Sequence, residues 1–146
     1  MSDFRELQLT LDLPGSLPEA DLALLRWHLG EGGQEPEDPE AYPLFASRGP
    51  AARMGGALVG VLAPSARGWA LTVRQEVHPE EFDGLRELVV WLAARTSTFG
   101  TVGYLRCLED HVPDVLVADP AAGTVRRLTP RSGPEGEAQP IPDPWG

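Results

Sequence analysis

The sequence predicts an α+β domain in which two amphipathic helices cover one face of an antiparallel sheet. Apolar and polar side chains alternate in segments 7–13 and 69–77, which is the period-two pattern of half-buried strands. Apolar side chains recur at helical spacing in segments 22–29 and 82–92. The predicted order is β-α-β-β-α-β-β-β. Its first six elements match the ferredoxin-like pattern, and a C-terminal hairpin is added to them.

The first strand and the first helix are predicted from residues 7–30. Pro14-Gly15 ends the strand, and Ser16-Leu-Pro-Glu19 has the capping-box pattern, with Ser16 as N-cap and Glu19 reaching back to it. Gly30 is the expected C-cap, because glycine readily adopts the positive φ that ends many helices. The apolar side chains of the two elements are Leu7, Leu9, Leu11 and Leu13 for the strand and Leu22, Leu25 and Leu29 for the helix.

The middle of the chain predicts a hairpin followed by the second helix. Residues 57–62 form a short apolar strand, and the turn 64–68 leads from it into the strand 69–77. After His78-Pro79 the apolar period changes from two to helical spacing, so the second helix begins there. Its apolar stripe consists of Phe82, Leu85, Leu88, Val89 and Leu92.

The last part of the chain predicts three strands and an irregular end. Residues 102–108 form one strand, and 115–118 with 124–128 form a hairpin. Five prolines in residues 129–146 oppose regular structure there. We therefore predict a single α+β domain over residues 1–128 and a Pro-rich tail over residues 129–146. The predicted core consists of Leu9, Leu11, Leu25, Leu29, Val59, Val61, Leu71, Val73, Phe82, Leu85, Val89, Leu92 and Leu105.

The composition limits the partners and the location of the protein. The 146 residues include 22 acids and 12 bases, which gives a net charge of −10. This balance disfavours binding to phosphate backbones, so we expect no nucleic-acid partner. The N-terminus lacks the pattern of a signal peptide, and no apolar stretch approaches the ~20 residues of a membrane span. We therefore expect a cytoplasmic protein that does not contact a membrane.

The polar pair Glu76 and His78 is the first candidate for chemistry. Both side chains point to the same side of the predicted strand, where they could form a general base or half of a metal site. The sequence His78-Pro79-Glu80-Glu81 also fits the start of a helix, with acids at its positive end. We favour the helix start.

Three other candidates are interpreted as structural. Glu109-Asp110-His111 is typical of a polar turn, because adjacent strand residues point to opposite faces and cannot converge on a metal. His28 is expected to pack or to lie on a helix surface, and Cys107, which has no neighbouring base, is expected to lie in the core. We therefore predict no catalytic residue, no bound metal and no cofactor.

The loop over residues 31–43 carries five acids and no base. Residues 1–43 together contain ten acids and two bases, so most of the net charge lies at this end of the chain. A surface of one sign steers a basic partner and speeds its association. We interpret the loop as a docking surface, and a solvated connector is the alternative.

The C-terminal half resembles a known family in four short segments: Val102-Gly-Tyr-Leu-Arg106, Glu109-Asp110, Arg126-Arg127-Leu128 and Ile141-Pro-Asp-Pro-Trp145. Their order and spacing over residues 85–146 resemble bacterial polymorphic-toxin immunity proteins. Cys107-Leu108 stands where that family usually has aspartates. The resemblance implies a small acidic cytoplasmic protein that neutralises a cognate basic toxin by protein–protein binding.

We expect such a partner to contact the acidic loop, the polar strand face and the end of the chain. The predicted partner-binding residues are Glu31, Glu35, Glu37, Asp38, Glu40, Tyr42, Glu76 and Trp145. The alternative function is that of a small ferredoxin-like enzyme or ligand-binding protein. Its site would lie between the sheet and the helices and would use Arg74, Glu76 and His78.

Overall fold

A computed structural model describes residues 4–129 of the chain. Seven strands and two helices follow one another in this part, with a short 3₁₀ turn over Pro79–Glu81 before the second helix. The strands are β1 (Arg5–Pro14), β2 (Gly49–Pro50), β3 (Ala57–Ser65), β4 (Gly68–Val77), β5 (Gly100–Cys107), β6 (Asp114–Asp119) and β7 (Thr124–Leu128). The helices are α1 (Glu19–His28) and α2 (Phe82–Ala93). The expected Pro-rich tail lies almost entirely outside the described residues.

The strands form one antiparallel sheet in the order β2-β3-β4-β1-β5-β6-β7. Strand β1 lies at its centre, between β4 and β5. The predicted α+β class and the two predicted hairpins, β3–β4 and β6–β7, are confirmed. The two-residue strand β2 was not predicted, because Gly49-Pro50 has no apolar alternation and pairs only with the start of β3.

Alternation along β1 determines which face of the sheet is covered. Leu7, Leu9 and Leu11 are buried, whereas Thr10 and Asp12, which alternate with them, are exposed. In a strand, successive side chains point to opposite faces, so the odd-numbered residues of β1 define the covered face. The same face continues into β4, where Leu71 and Leu11 are paired in register.

Both helices pack on this covered face. Leu25 of α1 and Leu92 of α2 are almost fully buried in the same core cluster as the leucines of β1. Phe45, in the segment that follows the loop after α1, is fully buried there as well. The apolar stripe predicted for α2 is confirmed, since its buried residues include Leu85, Leu88, Val89, Leu92 and Ala93.

Two residues of the predicted core lie on the other face of the sheet. Val61 is 48% exposed, and Val59 is only half buried. The register explains the error. Gly60 pairs with the buried Val73 and Leu62 pairs with the buried Leu71, so Gly60 and Leu62 are the residues of β3 that face the helices. In a short apolar run without polar alternation, sequence alone does not indicate which residues face the core. Of the remaining predicted core residues, Phe82 and Leu105 are half buried, and the others are buried.

The predicted N-cap of α1 is wrong and its predicted C-terminal end is correct. The helix begins at Glu19, Pro18 is the N-cap, and no side chain caps the helix. Ser16 therefore lies too early in the chain to cap it. At the other end, Gly30 has φ of 75° and follows the C-cap Leu29. The amide of Glu31 donates to the carbonyl of Arg26 at 2.9 Å, which closes the helix in a Schellman motif.

The other face of the sheet carries a polar cluster around one carboxylate. Glu6 is 4% exposed and accepts hydrogen bonds from Arg74 and Arg106, which flank it on the two neighbouring strands. Arg74 also donates to the carbonyls of Gly55 and Ala57, so the segment before β3 folds against this face. In the described part of the chain, neither helix has the length and apolar character needed to cross a membrane.

Candidate functional site

A groove with a volume of about 450 Å³ lies between α1 and α2, and the loop after α1 forms one of its walls. We call it the acidic groove. Six carboxylates line it: Asp38, Glu40, Glu80, Glu81, Asp83 and Glu87. Its apolar lining comes from Leu24, Leu44, Leu88 and Trp91. Among the described residues, no arginine lines it.

The acids of the second helix reach the groove through a local capping arrangement. His78 is the N-cap of the 3₁₀ turn, where its Nδ1 accepts from the amide of Glu80 at 3.1 Å. The carboxylate of Glu81 in turn accepts from the amide of His78 at 3.1 Å. Asp83 and Glu87 follow on α2, and their spacing of four places them on one face of the helix. The predicted helix start at His78-Pro79 is therefore confirmed.

The loop that forms the opposite wall is anchored at both ends. At its start, the amide of Gln34 donates to the carbonyl of Ala23 on α1 at 3.2 Å. At its end, the amide of Leu44 donates to Nδ1 of His28 at 3.3 Å, and the amide of Phe45 donates to the carbonyl of His28 at 2.9 Å. His28 is thus a packed histidine that attaches the loop to α1, as expected for a structural role.

The tip of the loop is shaped by its own aspartate. Oδ1 of Asp38 accepts from the amide of Glu40 at 2.9 Å, and the Asp38 carbonyl accepts from the amide of Ala41 at 3.1 Å. Aspartate favours such turns because its short side chain bonds to the backbone two residues later. This turn directs Tyr42 toward the second helix, where it lines the groove.

Two pKa values describe the electrostatics of the groove. Desolvation raises the pKa of Tyr42, and the negative charges of Glu81 and Glu80 raise it further, since they oppose a phenolate. Burial lowers the pKa of His28 to about 4, so this imidazole is neutral at pH 7. Its Nδ1 accepts a hydrogen bond, which places the proton on Nε2.

The arrangement fits a basic side chain that also has an apolar stem. Lysine and arginine pack their methylene groups on apolar surface while the charged end stays near polar groups. Trp91 and Leu88 offer such a surface, and the carboxylates offer partners for the charge. Within the protein, Arg95 already stacks on Trp91, with the guanidinium carbon 4.1 Å from the ring centroid.

The structure brings together only part of the predicted partner-binding set. Asp38, Glu40 and Tyr42 line the acidic groove. The three earlier acids of the loop, at positions 31, 35 and 37, are exposed and do not line it. Trp145 lies outside the described residues.

Glu76 belongs to a different surface. It lies on the face of the sheet away from the helices, where its Oε1 accepts from the amide of Arg53 at 3.0 Å. Arg74 lies on that face as well, bonded to Glu6. The alternative prediction placed Arg74 and Glu76 in a site between the sheet and the helices. This placement is wrong, because the even-numbered residues of β4 point away from the helices.

The predicted site did not include the four groove acids of the 3₁₀ turn and α2, which are Glu80, Glu81, Asp83 and Glu87. Glu80, Asp83 and Glu87 are spaced by three and four, which is the spacing of one helix face. That acidic stripe was the available signal. Its position opposite the loop was not predictable, because about 40 residues of chain separate the two walls.

The remaining candidates for chemistry lie at the end of β5 and in the turn after it. Glu109 and Asp110 follow β5 in an exposed turn, and the amide of Asp110 donates to the carbonyl of Cys107 at 3.0 Å. Cys107 is half buried, and its Sγ lies 2.9 Å from Nη1 of Arg5. Across residues 4–129, no three His, Cys, Asp or Glu side chains converge in a way that could hold a metal ion.

Comparison with known proteins returned no match of any kind. No family model matches the chain, no curated protein is similar to it, and no solved structure matches its fold.

Proposed function

We propose that this protein binds a basic protein partner through the acidic groove and neutralises it, in the manner of an immunity protein acting on a toxin. The observation that supports the proposal best is the composition of the groove. Six carboxylates surround an apolar floor, and no arginine of the described residues lies among them. The resemblance of the C-terminal half to immunity proteins supports the same function.

The groove offers a basic side chain carboxylates for its charged end and an apolar surface for its methylene stem. The chain carries a net charge of −10, which attracts a basic partner at long range and repels phosphate backbones. Rim carboxylates such as Glu80 and Glu87 are exposed, so they act mainly on the association rate and its salt dependence. A cytoplasmic location is part of the proposal.

We also propose that the core of the fold is ferredoxin-like. The order β3-β4-β1-β5 supports this assignment, since α1 lies between β1 and β3 in sequence and α2 lies between β4 and β5. The split β-α-β pattern has the same connections. Strands β2, β6 and β7 are then additions at the two edges. The fold alone implies no activity.

The function is tested by comparing two variants that have the same change of charge. In the groove variant, Asp38→Asn, Glu80→Gln and Glu87→Gln remove three charges from the walls of the groove. In the loop variant, Glu31→Gln, Glu35→Gln and Glu37→Gln remove three charges from exposed positions outside it. Proteins that co-purify with the tagged wild-type chain from its native cell are identified by mass spectrometry, and their affinities are measured at low and high salt.

A basic protein should bind the wild type and the loop variant, and its affinity for the groove variant should fall most at low salt. Production of that protein alone should then inhibit growth, and co-production of the wild-type chain should restore it. Equal binding by both variants at both salt concentrations would show that the groove is not the interface. A bound partner whose production leaves growth unchanged would contradict neutralisation and leave only a binding role.

A further inference from the structure

A second cavity lies on the other side of α2, and arginines surround it in place of carboxylates. It has a volume of about 480 Å³ and opens between α2 and the strands β5, β6 and β7. Within residues 4–129, two helices lie on the seven-stranded sheet, and the cavity lies where α2 approaches β7. Leu85 and Val89 of α2 form one wall, and Leu7, Leu105 and Leu116 of the sheet form the other.

The charge around this cavity is opposite to that of the protein as a whole. Arg5, Arg86, Arg126 and Arg127 line it, and Asp83 is the one acid of its lining among the described residues. These are four of the twelve bases in a chain with a net charge of −10. The concentration of positive charge here is therefore local.

The side chains of these arginines do not all face the cavity. Arg126 pairs with Val117, so its side chain lies on the opposite face of β7, whereas Arg127 lies on the cavity side and is paired with Asp114. Arg5 and Arg86 take part in none of the ion pairs formed within residues 4–129. Arg5 is half buried, stacks on Phe82 with 4.8 Å between its guanidinium carbon and the ring centroid, and donates to Sγ of Cys107. Within residues 4–129, its other donors take part in no further hydrogen bond.

We infer that this cavity binds a small amphipathic anion, whose apolar body lies between α2 and the sheet and whose carboxylate or phosphate meets Arg5 and Arg86. A guanidinium is suited to such a group, because its planar donors match two oxygens of a carboxylate or phosphate. The volume falls in the range of ~300–1,000 Å³ that is typical of small-molecule sites. The site lies on the other side of α2 from the acidic groove, and Asp83 is the one described residue that lines both.

The inference is tested with three ligands that have the same aromatic body. Naphthalene-2-carboxylate and 2-naphthyl phosphate carry the anion, and naphthalene-2-carboxamide is the neutral analogue. Titration calorimetry should show binding of an anion, and the carboxamide should bind about 10-fold more weakly, because hydrogen bonds to charged groups contribute at least that factor. The relative affinities of the carboxylate and the phosphate indicate which group the site prefers.

Variants of the full chain locate the site. Arg86→Gln changes an exposed residue of α2 and should leave folding intact, whereas Arg5→Gln changes a half-buried one. Each should weaken binding of the anion by about 10-fold. Arg67→Gln makes the same change of charge at an exposed position in the β3–β4 turn and should have no effect. Amide shifts on titration should appear at Val89, Val90 and Val125.

Several results would overturn the inference. The carboxamide could bind as tightly as the anions, the affinity of Arg86→Gln could equal that of the wild type, or the shifts could lie at Ala41 and Tyr42 of the acidic groove. The absence of calorimetric binding by the wild type at millimolar ligand would also overturn it.

Discussion

The carboxylate of Glu6 meets the guanidinium of Arg106 across two neighbouring strands, with Oε1 and Nε 2.9 Å apart, although the residues are 100 positions apart in sequence. Arg74 binds the other oxygen of the same carboxylate from the opposite side, again at 2.9 Å. The nearby hydroxyl of Tyr104 also lowers the pKa of this carboxylate. Through its two arginines, this one side chain joins β1, β4 and β5 on the face of the sheet opposite α1 and α2.

Replacing Glu6 should destabilise the protein. Glu6→Gln removes the charge and leaves two half-buried guanidinium groups without their partner, which should cost on the order of 3 kcal/mol. Urea unfolding at pH 7 measures the change. Asp12→Asn removes an exposed charge from the same strand and should change the free energy of unfolding by less than about 0.5 kcal/mol.

The pH dependence of this effect has a definite sign. Burial by itself raises the pKa of Glu6, but hydrogen bonds from Arg106 and Tyr104 and the positive charges of the two arginines outweigh it, so the pKa is lowered from 4.5. The folded state then releases this proton more readily than the unfolded state. The stability contributed is present above pH 4.5 and is lost as pH falls through the folded pKa. Glu6→Gln should therefore differ less from the wild type at pH 3 than at pH 7.

The buried imidazole of His28 should make the protein less stable in mild acid. Its pKa is about 4 in the folded state against 6.5 for an ordinary histidine, so the unfolded state binds the proton first as pH falls. The free energy of unfolding should fall by about 3 kcal/mol between pH 6.5 and pH 4 through this residue. His28→Asn, which keeps an acceptor for the amide of Leu44, should remove this slope. His111→Gln alters an exposed histidine and should leave the slope unchanged.

The proximity of the loop to the second helix can be measured through Tyr42. The charge of Glu80 contributes to the raised pKa of this phenol, so Glu80→Gln should lower that pKa. Absorbance of the phenolate during a pH titration reports it, and Tyr104 is removed as Tyr104→Phe to leave a single tyrosine signal. Glu76→Gln removes the same charge on the opposite face of the sheet. If Glu76→Gln and Glu80→Gln shifted the pKa of Tyr42 equally, the wall of the groove would not be formed as described.

Gly103 should not tolerate a side chain. It pairs with Leu9 where β1 and β5 approach closely, and a Cβ at this position would overlap the carbonyl oxygen of Gln8. Gly103→Ala should therefore destabilise the protein by about 3 kcal/mol, because backbone atoms of the central strand must move. Gly55→Ala is the matched control, since a Cβ there meets nothing within 4 Å. Thermal unfolding of the two variants compares them directly.

Local sequence patterns predicted the individual helices and strands, whereas contacts between residues far apart in the chain determined how these elements are arranged. The alternation of Leu7 to Leu13 and the helical stripe of α2 were sufficient to predict the two-layer α+β arrangement, because each pattern specifies one buried face. The position of Val61 was not predictable, since an apolar run is compatible with either register until its pairing with β4 is known. The acidic groove was predicted on one wall only. The loop acids stand out in composition, but their approach to Glu80 and Glu87 depends on His28 and Phe45, which anchor the loop to the helix layer.

The central position of β1 has a consequence for synthesis on the ribosome. Both strands that pair with it are made later, and β4 begins 54 positions after β1 ends, at Gly68 against Pro14. At about 5–20 residues per second, β1 waits roughly 3–10 s before its first partner strand begins to be made. During that time the side chains of Leu7, Leu9, Leu11 and Leu13 have no sheet to enter, and both edges of the strand are unpaired. The nascent chain should therefore be most prone to aggregation, and most dependent on chaperones, before the hairpin β3–β4 emerges from the exit tunnel.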